Sequence, residues 1–462
     1  MRRVWALRLP LGRRGETRAG EESIGDVVNR LAWPVVVENL LQTLLGVVDL
    51  IFVGALGAAA LAGVGAALQV IWVIQSAFTA VTTGTTVLVA HSIGAENPDE
   101  ANRALKQSLL VGVVLSAVVG ITGSLFAEPI MALLGGEADV IAAGATYFHI
   151  GSITALFMLG MFIAGAALRG AGDSKTPMTV TLWTNVLNAG LAWALIFGHF
   201  GLPAMGVAGS AWATGIARGV GLVAMLVILV RGKGQLRLDL RGTWAPDMNL
   251  LRRTLRIGLP SMGEMMLMSI GMLLYGVFAM HLGTDVYAAQ RITLNAISFA
   301  FMPALGYGIA ATTLTGQSLG AQNPDRAHRT TQYAAWSCLA IIMVVVVAAI
   351  AFSPLIVRLF TDDEQLIRIS VDALRVIALA QPFQAIGQVL AGSLRGAGDT
   401  RFPMYATAGA IWLVRLPLAW LFGPFFGMGL AAIYVSNIID SMVRLVALWS
   451  RYRQGKWRTL KV

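Results

Sequence analysis

Twelve mostly apolar runs follow one another along this 462-residue chain. A membrane-spanning helix needs about 20 such residues. The runs cover roughly 31–56, 64–90, 105–127, 143–167, 177–198, 206–230, 255–281, 288–317, 331–352, 370–393, 403–423 and 427–450. Only 13% of the residues are charged and 56% are hydrophobic, whereas soluble domains carry about 25% charged residues. The solvent of this chain is therefore lipid, and the expected fold is an all-α membrane protein of about twelve transmembrane helices.

The net charge of +10 does not point to nucleic acid. The charges form short clusters between the apolar runs, and most aromatic residues lie within the runs. With the N-terminus in the cytoplasm, 27 of the 34 Lys and Arg fall on the cytoplasmic side, Arg291, Arg358 and Arg368 fall outside, and four lie within spans. This asymmetry puts both termini in the cytoplasm of a multi-pass inner-membrane or plasma-membrane protein. Residues 1–30 then read as a basic cytoplasmic tail, since no short apolar core with a cleavage site precedes the first span. Residues 231–254 form a basic linker, and 451–462 a second basic tail. The single cysteine, Cys338, excludes an internal disulfide and a paired-cysteine metal or redox site.

The chain also repeats itself. Ser92-Ile-Gly-Ala-Glu-Asn-Pro-Asp99 returns as Ser318-Leu-Gly-Ala-Gln-Asn-Pro-Asp325, and Leu168-Arg-Gly-Ala-Gly-Asp173 as Leu394-Arg-Gly-Ala-Gly-Asp399, both at an offset of 226. The same offset superposes Pro34 on Pro260, Glu38 on Glu264 and Gly57 on Gly283. Each half, 31–230 and 255–450, holds an even number of spans, so the two run parallel and share an axis along the membrane normal. Transporters built in this way bind cargo between the halves and rock them to alternate access. The repeated motifs fall in cytoplasmic loops. Asn-Pro-Asp suits a helix start. Arg169 with Asp173, and Arg395 with Asp399, are expected either to scaffold these loops or to pair and separate as a gate.

On these paired loops, and on Val48-Asp49-Leu-Ile-Phe-Val-Gly-Ala-Leu-Gly57, the chain resembles the multidrug and toxic compound extrusion (MATE) family, in its DinF-like branch, over about residues 30–450. The resemblance implies a secondary active efflux antiporter, which exports organic cations and other amphiphiles against inward flow of protons or Na⁺. It implies no cofactor beyond that ion. The expected partners are small amphiphilic molecules and the bilayer, with the chain acting as a monomer.

An acidic group within a span costs about 2.5–3.5 kcal/mol on insertion and defaults to a functional candidate. The candidates are Glu38, Asp49, Glu264 and Asp440. Glu38 and Asp49 differ by about 20° in facing and about 16 Å in height on a helix, with Gln42 between them. The second span adds Ser76, Thr79, Thr83 and Thr86, and the fifth adds Thr181, Thr184, Asn185 and Asn188. Together they predict a polar pocket in the N-terminal half. The resemblance implies an ion or proton site there. Asp49 matches its aspartate, Tyr147 its tyrosine and Asn188 its asparagine, and Ser210 or Thr214 its hydroxyl. Ala192 stands where some members carry a second aspartate. Desolvation penalises the charged form of a lone carboxylate, which favours a proton there, although Na⁺ at Asp49 and Asn188 stays open.

The C-terminal half keeps Glu264 but has Met268 in place of Gln42 and Tyr275 in place of Asp49. Five methionines between 262 and 272 offer an adaptable apolar surface. Glu38, Gln42, Glu264, Met268 and Tyr275 are therefore the expected substrate contacts. Arg415 needs a partner, for which Glu264 is a candidate, and Asp440 has Arg444 four residues on.

No nucleotide-binding GxxxxGK[ST] loop is present, and the histidines form no metal-binding pattern. An enzyme is not expected. The alternative function is a lipid-linked oligosaccharide flippase of the same superfamily, which would need a cavity rich in Arg or Lys; the spans hold Arg218, Arg375, Arg415 and Arg444.

Overall fold

The computed structural model of the protein describes residues 23–232, 236–241 and 244–460. Its regular elements there are all helical. In the first half these are α1 (Ile24–Gly54), α2 (Ala58–Gly94), α3 (Pro98–Leu133), α4 (Ala138–Ile153), α5 (Ala155–Gly170), α6 (Lys175–Phe197) and α7 (Val207–Arg231). The second half holds α8 (Met248–His281), α9 (Thr284–Gly320), α10 (Pro324–Ala351), α11 (Ser353–Arg358), α12 (Glu364–Ala378), α13 (Gln381–Gly396), α14 (Arg401–Gly409), α15 (Leu416–Trp420) and α16 (Leu430–Arg453).

Ten continuous helices among the described residues are long and apolar enough to cross a bilayer, and α4–α5 makes another crossing bent by 52°. The pair α12–α13 begins and ends at the positions that the repeat offset assigns to α4–α5. Counting it gives twelve crossings in two sets of six, the expected architecture.

The repeat reaches down to backbone detail. Asn97 and Asn323 cap α3 and α10, each accepting from the backbone N–H three residues on. The preceding Glu96 and Gln322 both adopt a left-handed conformation, with φ of 55° and 54°. Gly172 and Gly398 turn their loops at φ of 90° and 87°, a region open to glycine without a Cβ penalty.

Several boundaries differ from the apolar runs. Helix α1 starts at Ile24, capped by Ser23 Oγ, which accepts from Asp26 N. Residues 24–30 of the expected tail are thus helical, and residues 1–22 lie outside the described residues. The runs 143–167 and 370–393 are each two helices rather than one. The first breaks at Thr154, whose hydroxyl donates back to Ile150 O at 3.0 Å, a bond that bends helices. The second breaks before Pro382, which has no N–H to continue the ladder. The run 403–423 holds wide turns at Ala410–Arg415 and Leu421–Phe425, close to Pro417 and Pro424. Within the expected linker, Leu236 and Leu238 pack into the core of the first half.

Helices α1, α2, α8 and α9 bring the halves together. The first helix of each half crosses the second helix of the other. Gly306 of α9 meets Ala32 O of α1, and the repeat-related contact sets Gly258 of α8 against Ala80 O of α2. Added Cβ atoms would overlap the opposing helix at both points. At the end of the bundle that carries the start of α1, His91 Nε2 lies 2.8 Å from Gly396 O, and Gln317 Nε2 donates to Gly170 O at 2.9 Å. These two contacts are also exchanged by the repeat: His91 corresponds to Gln317, and Gly170 to Gly396. The halves are therefore closed against each other at this end.

Candidate functional site

At the opposite end the halves part around a cavity of about 830 Å³. The C-terminal part of α1 contributes Gln42 and Asp49 to its wall, and α2 contributes Gln69, Trp72 and Gln75. Tyr147, Thr214 and Arg218 complete the polar wall of the first half. The second half supplies Ser269, Met272, Gly276 and Met280 from α8, and Tyr287 and Gln290 from α9.

The predicted cluster around Asp49 forms. Asp49 is buried, and its Oδ2 accepts from Thr214 Oγ1 at 3.2 Å. The same hydroxyl reaches Ser210 O at 3.1 Å and accepts from Asn188 Nδ2 at 2.9 Å. Tyr147 is buried and lines the same cavity as Asp49. Three oxygens of this cluster, Asp49 Oδ1, Asn188 Oδ1 and Ser210 Oγ, are buried without a protein hydrogen-bond partner. Such orphaned acceptors are costly. A proton on Asp49 would remove the charge from its unpartnered oxygen, and carboxylate, amide and hydroxyl oxygens are also the ligand type that a small cation takes. Asn185 is not part of the cluster. Its Nδ2 donates to Leu41 O at 2.6 Å and pins α6 to α1.

Glu38 lines a second pocket, of about 210 Å³, with Ser76, Thr79 and Arg169. Gln42 lines both spaces, so the polar stripe of α1 runs along one side of two stacked cavities. Glu38 itself is held in an ion pair, with both carboxylate oxygens 3.0 Å from Arg169 Nη1.

The loop residues pair differently from expectation. Arg169 does not meet Asp173. Its side chain lies back along α5 over Gly165, as helical side chains lean toward the N-terminus, and this carries the guanidinium to Glu38. Asp173 instead caps α6, accepting from Thr176 N at 3.0 Å and Thr176 Oγ1 at 2.6 Å. Arg395 does not meet Asp399 either. It donates to both oxygens of Glu264 at 2.8 and 2.7 Å, while Asp399 accepts from Arg451 Nε at 2.8 Å. Glu264 also accepts from Thr407 Oγ1 at 2.9 Å. Arg415 pairs with Asp440 rather than Glu264, its Nε lying 3.1 Å from Asp440 Oδ2. Asp440 therefore takes Arg415, not Arg444, as its partner.

Of the expected substrate contacts in the second half, Glu264, Met268 and Tyr275 do not line the large cavity. Tyr275, at the repeat position of Asp49, is packed inside its own half and donates to Ile433 O at 3.0 Å. The face of α8 that does line the cavity carries Ser269, Met272, Gly276 and Met280. A methionine surface is thus present, one helical face away from Met268.

Arg218 is the residue missing from the expected site. It follows Thr214 by one helical turn on α7 and opens into the cavity. A lone basic residue in a long apolar run, in register with a polar neighbour, is the signal that marks it.

The MatE family profile matches residues 34–194 and 260–421, two segments whose starts are separated by the repeat offset. A probable multidrug resistance protein NorM of Thermotoga maritima is 37% identical over 445 residues, covering 93% of this chain and 92% of that one. An uncharacterized transporter, YisQ, of Bacillus subtilis is 29% identical over 429 residues, covering 92% and 94%. Among solved structures, an outward-facing multidrug resistance MATE family transporter superposes with a TM-score of 0.88 at 24% identity, covering 95% of this chain and 98% of that one. That likeness is one of fold.

Proposed function

The chain belongs to the MatE family, and on that premise we propose that it is a multidrug efflux antiporter, exporting amphiphilic, often cationic compounds in exchange for protons by alternating access. The observation that carries this reading is Asp49. It is buried at the wall of the large cavity with one carboxylate oxygen unpartnered. A proton and the cationic group of a cargo cannot both neutralise that carboxylate. Each displaces the other, and this competition is what antiport requires. Na⁺ among Asp49, Asn188 and Ser210 is the alternative coupling ion.

With both termini in the cytoplasm, as the distribution of basic residues supports, the closed end of the bundle is cytoplasmic and the cavity opens outward. Cargo release and proton entry then belong to this state. Rocking the halves about α1, α2, α8 and α9 would break the contacts of His91 and Gln317 and present Asp49 to the cytoplasm.

Among the described residues two basic side chains line the cavity, Arg218 and Arg291, and Arg291 is engaged by Tyr287 Oη at 2.7 Å. A polyanionic lipid-linked oligosaccharide would call for more, so the efflux reading is preferred. Proteoliposomes given a proton gradient and a Na⁺ gradient separately test it. Dye efflux driven by the proton gradient alone is expected; efflux that depends on neither gradient would refute coupling.

A further inference from the structure

We propose that Arg218 is an anion-binding residue of the cavity, so that the cargo is a zwitterionic amphiphile: a cationic centre that competes for Asp49 and a carboxylate, sulfonate or phosphate held by Arg218. This rests on the transporter reading above and narrows its substrate class.

Arg218 lies in the middle of α7, which runs from Val207 to Arg231, far from either headgroup layer. A charge at that depth normally pairs with another charge or faces an aqueous path. Among the described residues Arg218 has no salt bridge; one Nη donates to Met158 Sδ at 2.9 Å. A thioether is a weak acceptor, and a guanidinium has five donors in a planar fork. Most of that fork is therefore left for something in the cavity, which Arg218 lines. Planar bidentate recognition of a carboxylate or phosphate is the chemistry that fork suits best.

The placement relative to Asp49 defines the spacing of the two charges. Thr214, the hydroxyl bonded to Asp49, is four residues before Arg218 on the same face of α7. Side chains so spaced stand about 5–6 Å apart at their Cβ atoms. Asp49 and Arg218 are thus close neighbours in one cavity, yet outside ion-pair distance of each other. Trp72, Met272 and Met280 supply apolar wall for the body of an amphiphile.

The sign of coupling selects a zwitterion over a simple anion. Protonating Asp49 removes the negative charge nearest Arg218. A purely anionic cargo would then bind best together with the proton, which is symport. A cargo whose cationic centre displaces the proton, while its anionic group stays on Arg218, keeps the exchange antiparallel. A purely cationic cargo would gain from Asp49 but be repelled by Arg218.

The test compares rhodamine B, a zwitterion at neutral pH, with its ethyl ester, which keeps the cation and lacks the carboxylate. Binding of each to purified protein in nanodiscs is read by fluorescence anisotropy. The wild-type protein is expected to bind the free acid roughly tenfold more tightly, the scale of a charge-assisted contact. Arg218→Gln should bring the ratio to about one, and Arg218→Lys should keep part of it. A wild-type ratio of one or less overturns the proposal, as does a preference that survives in Arg218→Gln. The wild-type ratio needs no variant, so misfolding of Arg218→Gln leaves the test intact. Transport of both dyes in proteoliposomes separates the two readings. Preference in binding without gradient-driven movement defeats the antiport reading and keeps the subsite. Equal pumping of both dyes, with no preference in binding, does the reverse.

Discussion

Arg169 holds both carboxylate oxygens of Glu38 at 3.0 Å from a single Nη, and at the matching positions of the second half Arg395 holds Glu264 in the same way at 2.8 and 2.7 Å. Each pair ties the last turn of a helix in the fourth crossing of its half to the first crossing. Gly170 and Gly396, which follow Arg169 and Arg395 in those last turns, are the residues that the other half touches through Gln317 and His91. A residue deep in the first helix and the contact between the halves are therefore one mechanical unit.

Removing one member of either pair leaves a buried charge alone. Glu38→Gln and Arg169→Met are each expected to destabilise the protein by about 3–5 kcal/mol, while the double variant costs clearly less than their sum. Thermal unfolding of the four proteins in detergent measures this. An additive double variant would show that the pair is not coupled.

Asp49→Asn keeps the shape of the side chain and removes its titration. In the wild-type protein, affinity for a cationic dye such as the rhodamine ester should fall as pH falls, because protons compete for the carboxylate. In Asp49→Asn the affinity should be flat with pH, and gradient-driven efflux should drop to background. Binding titrations between pH 5 and 8 decide it; a variant that retained the wild-type pH profile would remove Asp49 from the coupling role.

Gly258 and Gly306 allow helices of opposite halves to touch. A methyl group at either position overlaps a backbone atom of the other half, so Gly258→Ala should shift the population away from the state closed at the end with the termini. The single cysteine, Cys338, is buried. A cysteine introduced at position 91, where the halves meet, can therefore be followed with little background, and its labelling by a water-soluble maleimide should rise several-fold in Gly258→Ala. Unchanged labelling would mean that the helices absorb the methyl group without parting.

Asp440 is wholly buried with Arg415 as its partner. Asp440→Asn strands the Arg415 charge and is expected to lower Tm by several degrees, whereas Arg444→Gln should lower it much less. Differential scanning fluorimetry on the two variants makes the comparison. The reverse order would mean that Arg444, not Arg415, carries the pairing.

Much of this protein was legible in its residues alone. Apolar runs located the crossings because hydropathy is a local property, and a span needs only its own side chains to declare itself. The repeat declared the parallel halves, and helical spacing put Asp49 and Asn188 on the polar faces of their spans; the hydroxyl, Ser210 or Thr214, came only from the family resemblance. Helix ends and breaks were less legible: α1 begins in what reads as a tail, and α4–α5 bends at Thr154 within one continuous apolar run.

The tertiary structure alone decided which charges meet. Glu38 and Arg169 lie 131 residues apart, and Arg169 has Asp173 far nearer in sequence; Arg415 passed over Glu264 for Asp440. It also decided which face of α8 lines the cavity, bringing in Ser269 and Met272 and leaving Tyr275 inside its own half. The physical reason is the same in each case. Periodicity fixes where a side chain sits around its own helix axis, but the partner it reaches depends on how that helix is rotated and crossed against others. That is set by packing contacts such as Gly258 on Ala80, made between residues far apart along the chain.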